Sequence, residues 1–277
     1  MSLSRVCLVL TLVVLWNSAE SAPRTNFQNL IASYSEWPES CHGANQSPIN
    51  LVIEDSKRAH YPALQFNGHW NFQEGGFVLK NTGHAAQIVY SGVAPTLTGG
   101  PLNSEYTLAQ VHFHWGNTAG SGSEHAINNF FFELEGHFVH YNTKYGSVAE
   151  ALHHPDGLAV VGVLFKGVES ANNNLNLIVD SLSKIVPTDS QTLISGDAMN
   201  WFKRYDKTRN FFTYFGSLTT PPCSEVVTWI VLAEPYYIGN EQVKAFTELW
   251  SHEGPLESNF RPLQELDGRV VELNSKY

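Results

Sequence analysis

Two stretches constrain this chain more than any other part of it: Gln-Val-His-Phe-His-Trp-Gly at 110–116 and Glu-Leu-Glu-Gly-His-Phe-Val-His-Tyr-Asn at 133–142. In both, residues of one kind recur at every second position, the pattern of a β-strand with two unlike faces. Gln110, His112 and His114 share one face of the first; Val111, Phe113 and Trp115 take the other. In the second, Glu133, Glu135, His137, Val139 and Tyr141 lie together. If the two strands are neighbours, three imidazoles enter one cavity. Gln110 and Glu135 each stand two residues before a histidine, on its own side.

Three neutral imidazoles with an open fourth position make a catalytic zinc site. A ligating histidine usually hands its second ring N–H to an oxygen, which fixes the tautomer and raises basicity. Gln110 is placed to accept from His112, and Glu135 from His137. A His-x-His pair alone reads equally well as surface or core histidines. The second strand, its glutamate and Glu124 favour metal. His140 has the opposite parity to His137 and is expected to point away, with a backbone or water partner; His125 is also read as structural.

The rest of the chain bounds the answer. Its 277 residues, 43% hydrophobic and 15% charged, suit a globular chain with a substantial core. A net charge of −10 argues against nucleic acid or an anionic membrane as partner. Residues 1–21 read as a signal peptide: Arg5, the apolar run Val6–Trp16, then small and polar residues to a cut after Ser21, with Ala22 as the alternative. The apolar run is short for a membrane span, and the tail 269–277 lacks the apolar end of a lipid-anchor signal. The expectation is a secreted, extracellular protein with no stable membrane anchor. Without Cys7, the mature chain keeps Cys41 and Cys223. In an oxidising compartment they most simply form one disulfide, closing a loop of about 180 residues, worth on the order of 5 kcal/mol in the chain-entropy model. Two buried free thiols are the alternative. Asn45-Gln-Ser47 is a glycosylation sequon, followed directly by Pro48.

From residue 63, short apolar segments alternate with turn signals such as Asn67-Gly68 and Thr98-Gly99-Gly100-Pro101. Phe77–Asn81, Ala86–Ser91, Leu158–Lys166 and Val226–Glu234 read as strands; Asn173–Ile185 and Glu241–Ser251 read as short helices. No linker or repeat interrupts them. The fold class is β-rich α+β, with one domain over 22–277.

With these residues in hand, the chain resembles an alpha-class carbonic anhydrase of the secreted type. The resemblance runs from about Cys41 to Val270. It is carried by Gln46–Asn50, Asn81-Thr-Gly-His84, Gln110–Gly116, Ser123-Glu-His125, Glu135–His140, Gly157–Val160, Gly216–Cys223, Val227–Leu232 and Asn259–Pro262. It implies a central, mostly antiparallel ten-stranded sheet with short peripheral helices and a conical cavity ending at zinc. Cys41 and Cys223 fall where secreted members carry their disulfide.

The resemblance also implies roles. His112, His114 and His137 hold Zn2+, and zinc-bound hydroxide hydrates carbon dioxide reversibly to bicarbonate and a proton. Zinc lowers the pKa of bound water to about 7, a value for which carbonic anhydrase is itself the reference case. Thr219 orients the hydroxide and donates its own proton to Glu124. Val139, Val160, Leu218, Val227 and Trp229 wall the site for apolar carbon dioxide, with Thr219 and Thr220 beside the substrate. His84 shuttles the proton outward. Side esterase activity is a plausible consequence of an open cavity.

Some positions depart from the family pattern. Only about 19 residues separate the expected cut from Cys41, and Tyr34 lies too close to that cysteine to match the family's early Trp-x-Tyr. Gly136 replaces a larger apolar residue, which is expected to loosen the strand. Phe215 stands for a frequent proline and Phe260 for a frequent tryptophan. A non-enzymatic binding protein on the same fold would usually have lost zinc histidines, and all three are present. The protease motif His-Glu-x-x-His is absent, and no Asp-His pair follows His114.

Overall fold

The computed structural model describes residues 37–70, 76–90, 92–203 and 208–275. The expected signal peptide, Tyr34 and Ser91 lie outside them. Among the described residues, thirteen strands join one large sheet. They are β1 (Lys57–Ala59), β2 (Gln65–Asn67), β3 (Phe77–Asn81), β4 (Ala86–Tyr90), β5 (Thr96–Thr98), β6 (Tyr106–Trp115) and β7 (Leu134–Asn142), then β8 (Leu158–Val168), β9 (Gln191–Ile194), β10 (Phe211–Gly216), β11 (Val227–Leu232), β12 (Tyr236–Gly239) and β13 (Glu272–Asn274). Ten of them form the main path, β9-β3-β4-β6-β7-β8-β11-β10-β13-β1; β12 pairs with β8, and β2 and β5 extend from β6.

The sheet is mixed, which corrects the expected antiparallel character in part. β8 runs parallel to both β11 and β12, and β13 parallel to β1. Parallel neighbours need a long return path. The chain supplies one after Val168, through helices and the β9–β10 segment, before coming back beside β8. Strand β8 shows the result in its sequence: Leu-Ala-Val-Val-Gly-Val-Leu-Phe is apolar at nearly every position and buried throughout.

The three central strands carry the site. β6 and β7 are antiparallel, with His112 opposite His137 and His114 opposite Glu135. A bulge between Leu108 and Gln110 resets the register just before the histidines. Both faces of the sheet are covered. Val111, Phe113, Phe138, Val161, Val163 and Ile230 join the larger core on one face. Val139, Val160, Val227, Trp229 and Val231 join a second apolar cluster on the other, with Leu218 packed against it.

Helices are short: α1 (Val148–Ala151), α2 (Asn176–Leu182) and α3 (Asn240–Thr247). The expected helix at 173–185 is a 3-10 turn, Asn173–Leu175, leading into α2. The expected helix to Ser251 stops at Thr247, and Trp250–Ser251 pairs with Gly254–Pro255 instead. Long-range bonds to Trp250 end it: its N–H donates to Val186 O (2.9 Å), and its carbonyl accepts from Asn81 Nδ2 (2.9 Å). Periodicity in the sequence cannot show such partners.

Gly136 does not break β7, whose pairing with both neighbours continues through it. A Cβ there would meet Phe113 Cε1 at 3.2 Å and Phe165 Cε2 at 3.6 Å. The two rings take the volume that a side chain would fill, so the strand is packed rather than loosened.

Cys41 and Cys223 are joined as a disulfide, which excludes two free thiols. Trp37 is buried with them, and the Arg261 guanidinium lies 4.9 Å from its ring centre. At the sequon, Asn45 Nδ2 donates to Glu225 Oε2 (2.9 Å) and Ser47 is fully buried. No helix among the described residues is long and apolar enough to cross a membrane.

Candidate metal centre

Alternation places the ligands, and the register brings them together. His112 and His114 leave β6 on the side that His137 leaves β7, and one nitrogen from each lies within 4.8 Å of the others. The second nitrogen of each ring is engaged. His112 Nδ1 donates to Gln110 Oε1 (2.9 Å), His114 Nδ1 to Asn259 O (2.9 Å) and His137 Nε2 to Glu135 Oε1 (2.8 Å).

These bonds fix the tautomers. With Nδ1 donating in both β6 histidines, each Nε2 presents a lone pair, and the two Nε2 atoms are only 3.0 Å apart. Two lone pairs converging at that distance repel unless a cation sits among them. Burial reinforces the neutral state: it holds His112 well below the usual imidazole range and His114 at about 4, and it lowers His137 as well. Three neutral, pre-aimed nitrogens, those of His114 and His137 on buried residues and that of His112 on a partly buried one, fit a zinc ion with an open fourth position.

Glu135 is the keystone of the surrounding shell. Its Oε2 accepts the N–H groups of Glu124 and His125, each at 2.8 Å, while Oε1 accepts from His125 Nδ1 and His137 Nε2, also at 2.8 Å. Burial alone would raise its pKa, but His125 and His137 outweigh that and hold it well below the usual carboxylate range. His125 is structural, as expected: its Nε2 contacts Tyr214 Oη at 2.7 Å. His140 points to the opposite face, where Nδ1 donates to Phe138 O (2.9 Å) and Nε2 lies 2.9 Å from His69 Nε2.

Glu124 is completely buried beside the ligands. Oε1 accepts the Arg261 N–H (2.8 Å), and Oε2 lies 3.4 Å from His114 Nε2 and 3.9 Å from His137 Nδ1. Oε2 is outside hydrogen-bond geometry from every donor, yet the Thr219 side chain is close enough to favour its ionised form. Burial dominates and lifts the carboxyl to about 7, opposed by His137, Thr219 and the Arg261 N–H.

The apolar wall is contiguous. Val139, Val160 and Trp229 face one another across β7, β8 and β11, and the Trp229 ring centre is 4.8 Å from that of His137. Val227 belongs to the same cluster, and Leu218 and Thr220 are partly buried. Trp229 Nε1 donates to Ser217 O (3.0 Å), tying the wall to the Ser217–Thr220 loop. His84 is exposed in the β3–β4 turn.

Two residues escaped the sequence reading of the ligand shell. Asn259 supplies the third acceptor through its backbone carbonyl, while its Nδ2 donates to His84 O and Phe113 O, both at 2.9 Å, and its Oδ1 accepts the Trp115 N–H (2.7 Å). Arg261 fixes Glu124 from a distance of 137 residues in sequence. A backbone acceptor has no side-chain signature; the conspicuous string Asn259–Pro262 was the available signal.

The three histidines, which could hold a metal ion, stand on adjacent strands of a large mixed sheet. Residues 32–275 match the model of the eukaryotic-type carbonic anhydrases, and the chain belongs to that family. It is similar to carbonic anhydrase 3 of Sus scrofa, 36% identical over 242 residues that cover 84% of this chain and 91% of that protein. Carbonic anhydrase 3 of Homo sapiens is 34% identical over 259 residues, covering 87% and 94%. Carbonic anhydrase 7 of Mus musculus is 39% identical over 237 residues, covering 83% and 88%. Membership makes the chain a carbonate dehydratase acting on carbon dioxide and bicarbonate.

Proposed function

We propose that the chain hydrates carbon dioxide with one zinc ion held by His112, His114 and His137. A zinc ion held there would supply hydroxide at neutral pH by acidifying water to a pKa of about 7, for which this enzyme family is the reference case. The convergent lone pairs of the ligand histidines carry this reading. Gln110, Asn259 and Glu135 hold the ligand rings in the required tautomers.

Thr219 directs the nucleophile. With its hydroxyl turned to donate to Glu124, its oxygen would accept the nucleophile's proton and leave a lone pair aimed at substrate. The Arg261 N–H and a cation at the ligand set would favour the ionised Glu124 that this needs, against the burial that lifts the carboxyl to about 7. Carbon dioxide rests against Val139, Val160, Leu218, Val227 and Trp229, with Thr220 beside it; an apolar wall holds the apolar substrate without competing water. His84, at the exposed end of the β3–β4 turn, takes the proton released when hydroxide is regenerated. The same nucleophile in an open cavity supports side activity toward activated esters.

The leader-like residues 1–21 and the Cys41–Cys223 bond support export of the mature domain, 22–277, to an oxidising space.

Stopped-flow hydration of carbon dioxide, with zinc determined on the same sample, tests the reading. One zinc per chain with chelator-sensitive turnover is the expected result. Full zinc occupancy without turnover would favour a binding protein on this fold, and a folded protein that takes up no zinc would overturn the ligand assignment.

A further inference from the structure

A second histidine stands beside His84, and the fold holds it there. Asn81 gathers three segments. Its Nδ2 donates to Val186 O (3.0 Å) and Trp250 O (2.9 Å), its Oδ1 accepts the Gly83 N–H (2.8 Å), and its carbonyl accepts the Asp189 N–H (2.9 Å). Thr188 Oγ1 closes the set on Trp250 O at 2.6 Å. The turn 81–84, the segment 186–190 and the hairpin at 250–252 are thereby fixed to one another.

The consequence falls on His252. A Cβ on Gly83 would lie 3.2 Å from His252 Cδ2 and 3.4 Å from its Nε2, and Gly83 itself has a φ of +78°. The imidazole is therefore packed against the residue that directly precedes His84, where only glycine leaves it room. On its other side, His252 Nε2 lies 3.6 Å from Asp189 Oδ2. Both side chains are well exposed. An open cavity of about 430 Å3, lined by Pro187, Trp250 and Ser251 among others, borders the ring and leaves it accessible to buffer.

We propose that His252, positioned by Asp189, is a second proton-transfer residue of the exit path that begins at His84. The inference rests on the shuttle role given to His84 above. The His84 imidazolium gives its proton across solvent to neutral His252, and the His252 imidazolium gives it to a buffer base, leaving both rings neutral. Asp189 Oδ2, 3.6 Å from Nε2, lies within ion-pair distance of the ring once it carries the proton.

The electrostatics run in the same direction. His84 is held below the usual imidazole range, first by desolvation and then by the charge of His252, while Asp189 opposes both. A shuttle with a lowered proton affinity releases its proton readily.

The test compares His84→Ala, His252→Ala, the double variant, His252→Gln and Asp189→Asn as zinc-loaded full-length mature protein, by stopped-flow in dilute and imidazole-rich buffer. His252→Ala should lower kcat in dilute buffer about threefold or more, leave kcat/KM and zinc content unchanged, and recover with imidazole. The double variant should fall below His84→Ala, and Asp189→Asn should show a smaller loss in kcat alone. His252→Gln, which keeps a hydrogen-bonding side chain but cannot shuttle a proton, gives the same comparison if the alanine variant melts early.

Wild-type kcat in His252→Ala, with a double variant no slower than His84→Ala, would overturn the relay. So would parallel losses of kcat and kcat/KM without imidazole rescue, which mark a structural role. Unchanged turnover in His84→Ala would instead remove the shuttle reading and the relay built on it. A zinc-loaded wild type with no turnover would remove carbon dioxide hydration itself.

Discussion

Glu135 Oε1 accepts from His137 and His125 at once, each at 2.8 Å, so the ring proposed as a metal ligand shares one oxygen with its neighbour. Glu135→Gln keeps the shape but removes the charge and offers an N–H where an acceptor is needed. Zinc affinity should weaken roughly 10- to 100-fold. Competition against a chelator of known affinity measures it, and a dissociation constant equal to that of the wild type would show that Glu135 does not tune His137.

Thr219 and the ligand set should separate cleanly in kinetics. Thr219→Ala removes the hydroxyl that aims the nucleophile but touches no ligand. It should lower kcat/KM on the order of 100-fold with zinc affinity unchanged, while Thr219→Ser keeps most of the activity. If the serine variant is as slow as the alanine variant, the hydroxyl is not the operative group.

The disulfide ties Cys41 to a loop that also carries Leu218 and Thr219. Arg261 Nη2 donates to Cys41 O (2.8 Å), and Arg261 N holds Glu124. Replacing both cysteines with serine should cost about 2–5 kcal/mol of stability and leave zinc binding intact. Calorimetry in parallel with metal analysis checks both halves; an unchanged melting temperature contradicts the first, and lost zinc the second.

Acid should destabilise the metal-free protein, with the sign set by its buried histidines. His140 is held at about 4 by burial, and His69 lies well below 6.5 for the same reason. Below pH 6.5 the unfolded chain takes up protons that the folded chain refuses. Stability therefore falls as pH drops from 6.5 towards 4. The ligand histidines add to this loss. Glu124, raised to about 7, acts oppositely between pH 7 and 4.5, because there the folded carboxyl binds a proton that the unfolded one does not. Urea midpoints of chelator-treated protein from pH 8 to 4 should trace the net decline. The double substitution His69→Gln, His140→Gln should flatten it, and an equal slope in that variant would refute the assignment.

The core of the site was legible because strand parity is a local property. The alternation of Gln110, His112 and His114, and of Glu135, His137 and Val139, gave the faces directly, and His140 fell on the opposite side as its parity required. What the sequence hid was non-local. The bulge before Gln110 left no mark, and neither did the carbonyl of Asn259. Helix periodicity ran past Thr247 because nothing in Leu249-Trp250-Ser251 announces its bonds to Val186 and Asn81. Gly136 misled for a related reason: a missing side chain is weakness or accommodation depending on rings that arrive from Phe113 and Phe165. Parallel pairing of β8 with β11 and β12 depends on crossovers, which strand patterns do not encode.

Arg261 reaches Glu124, Gln46, Ser47 and Cys41 across 137, 215, 214 and 220 residues, and Asn259 reaches His114 across 145. A chain emerging in order from the ribosome presents all three histidines before either of these residues has been made. The ligand histidines and the residues that complete their shell are thus made at separate times. A nascent chain halted before its final segment would carry the ligands of the enzyme without its reactivity.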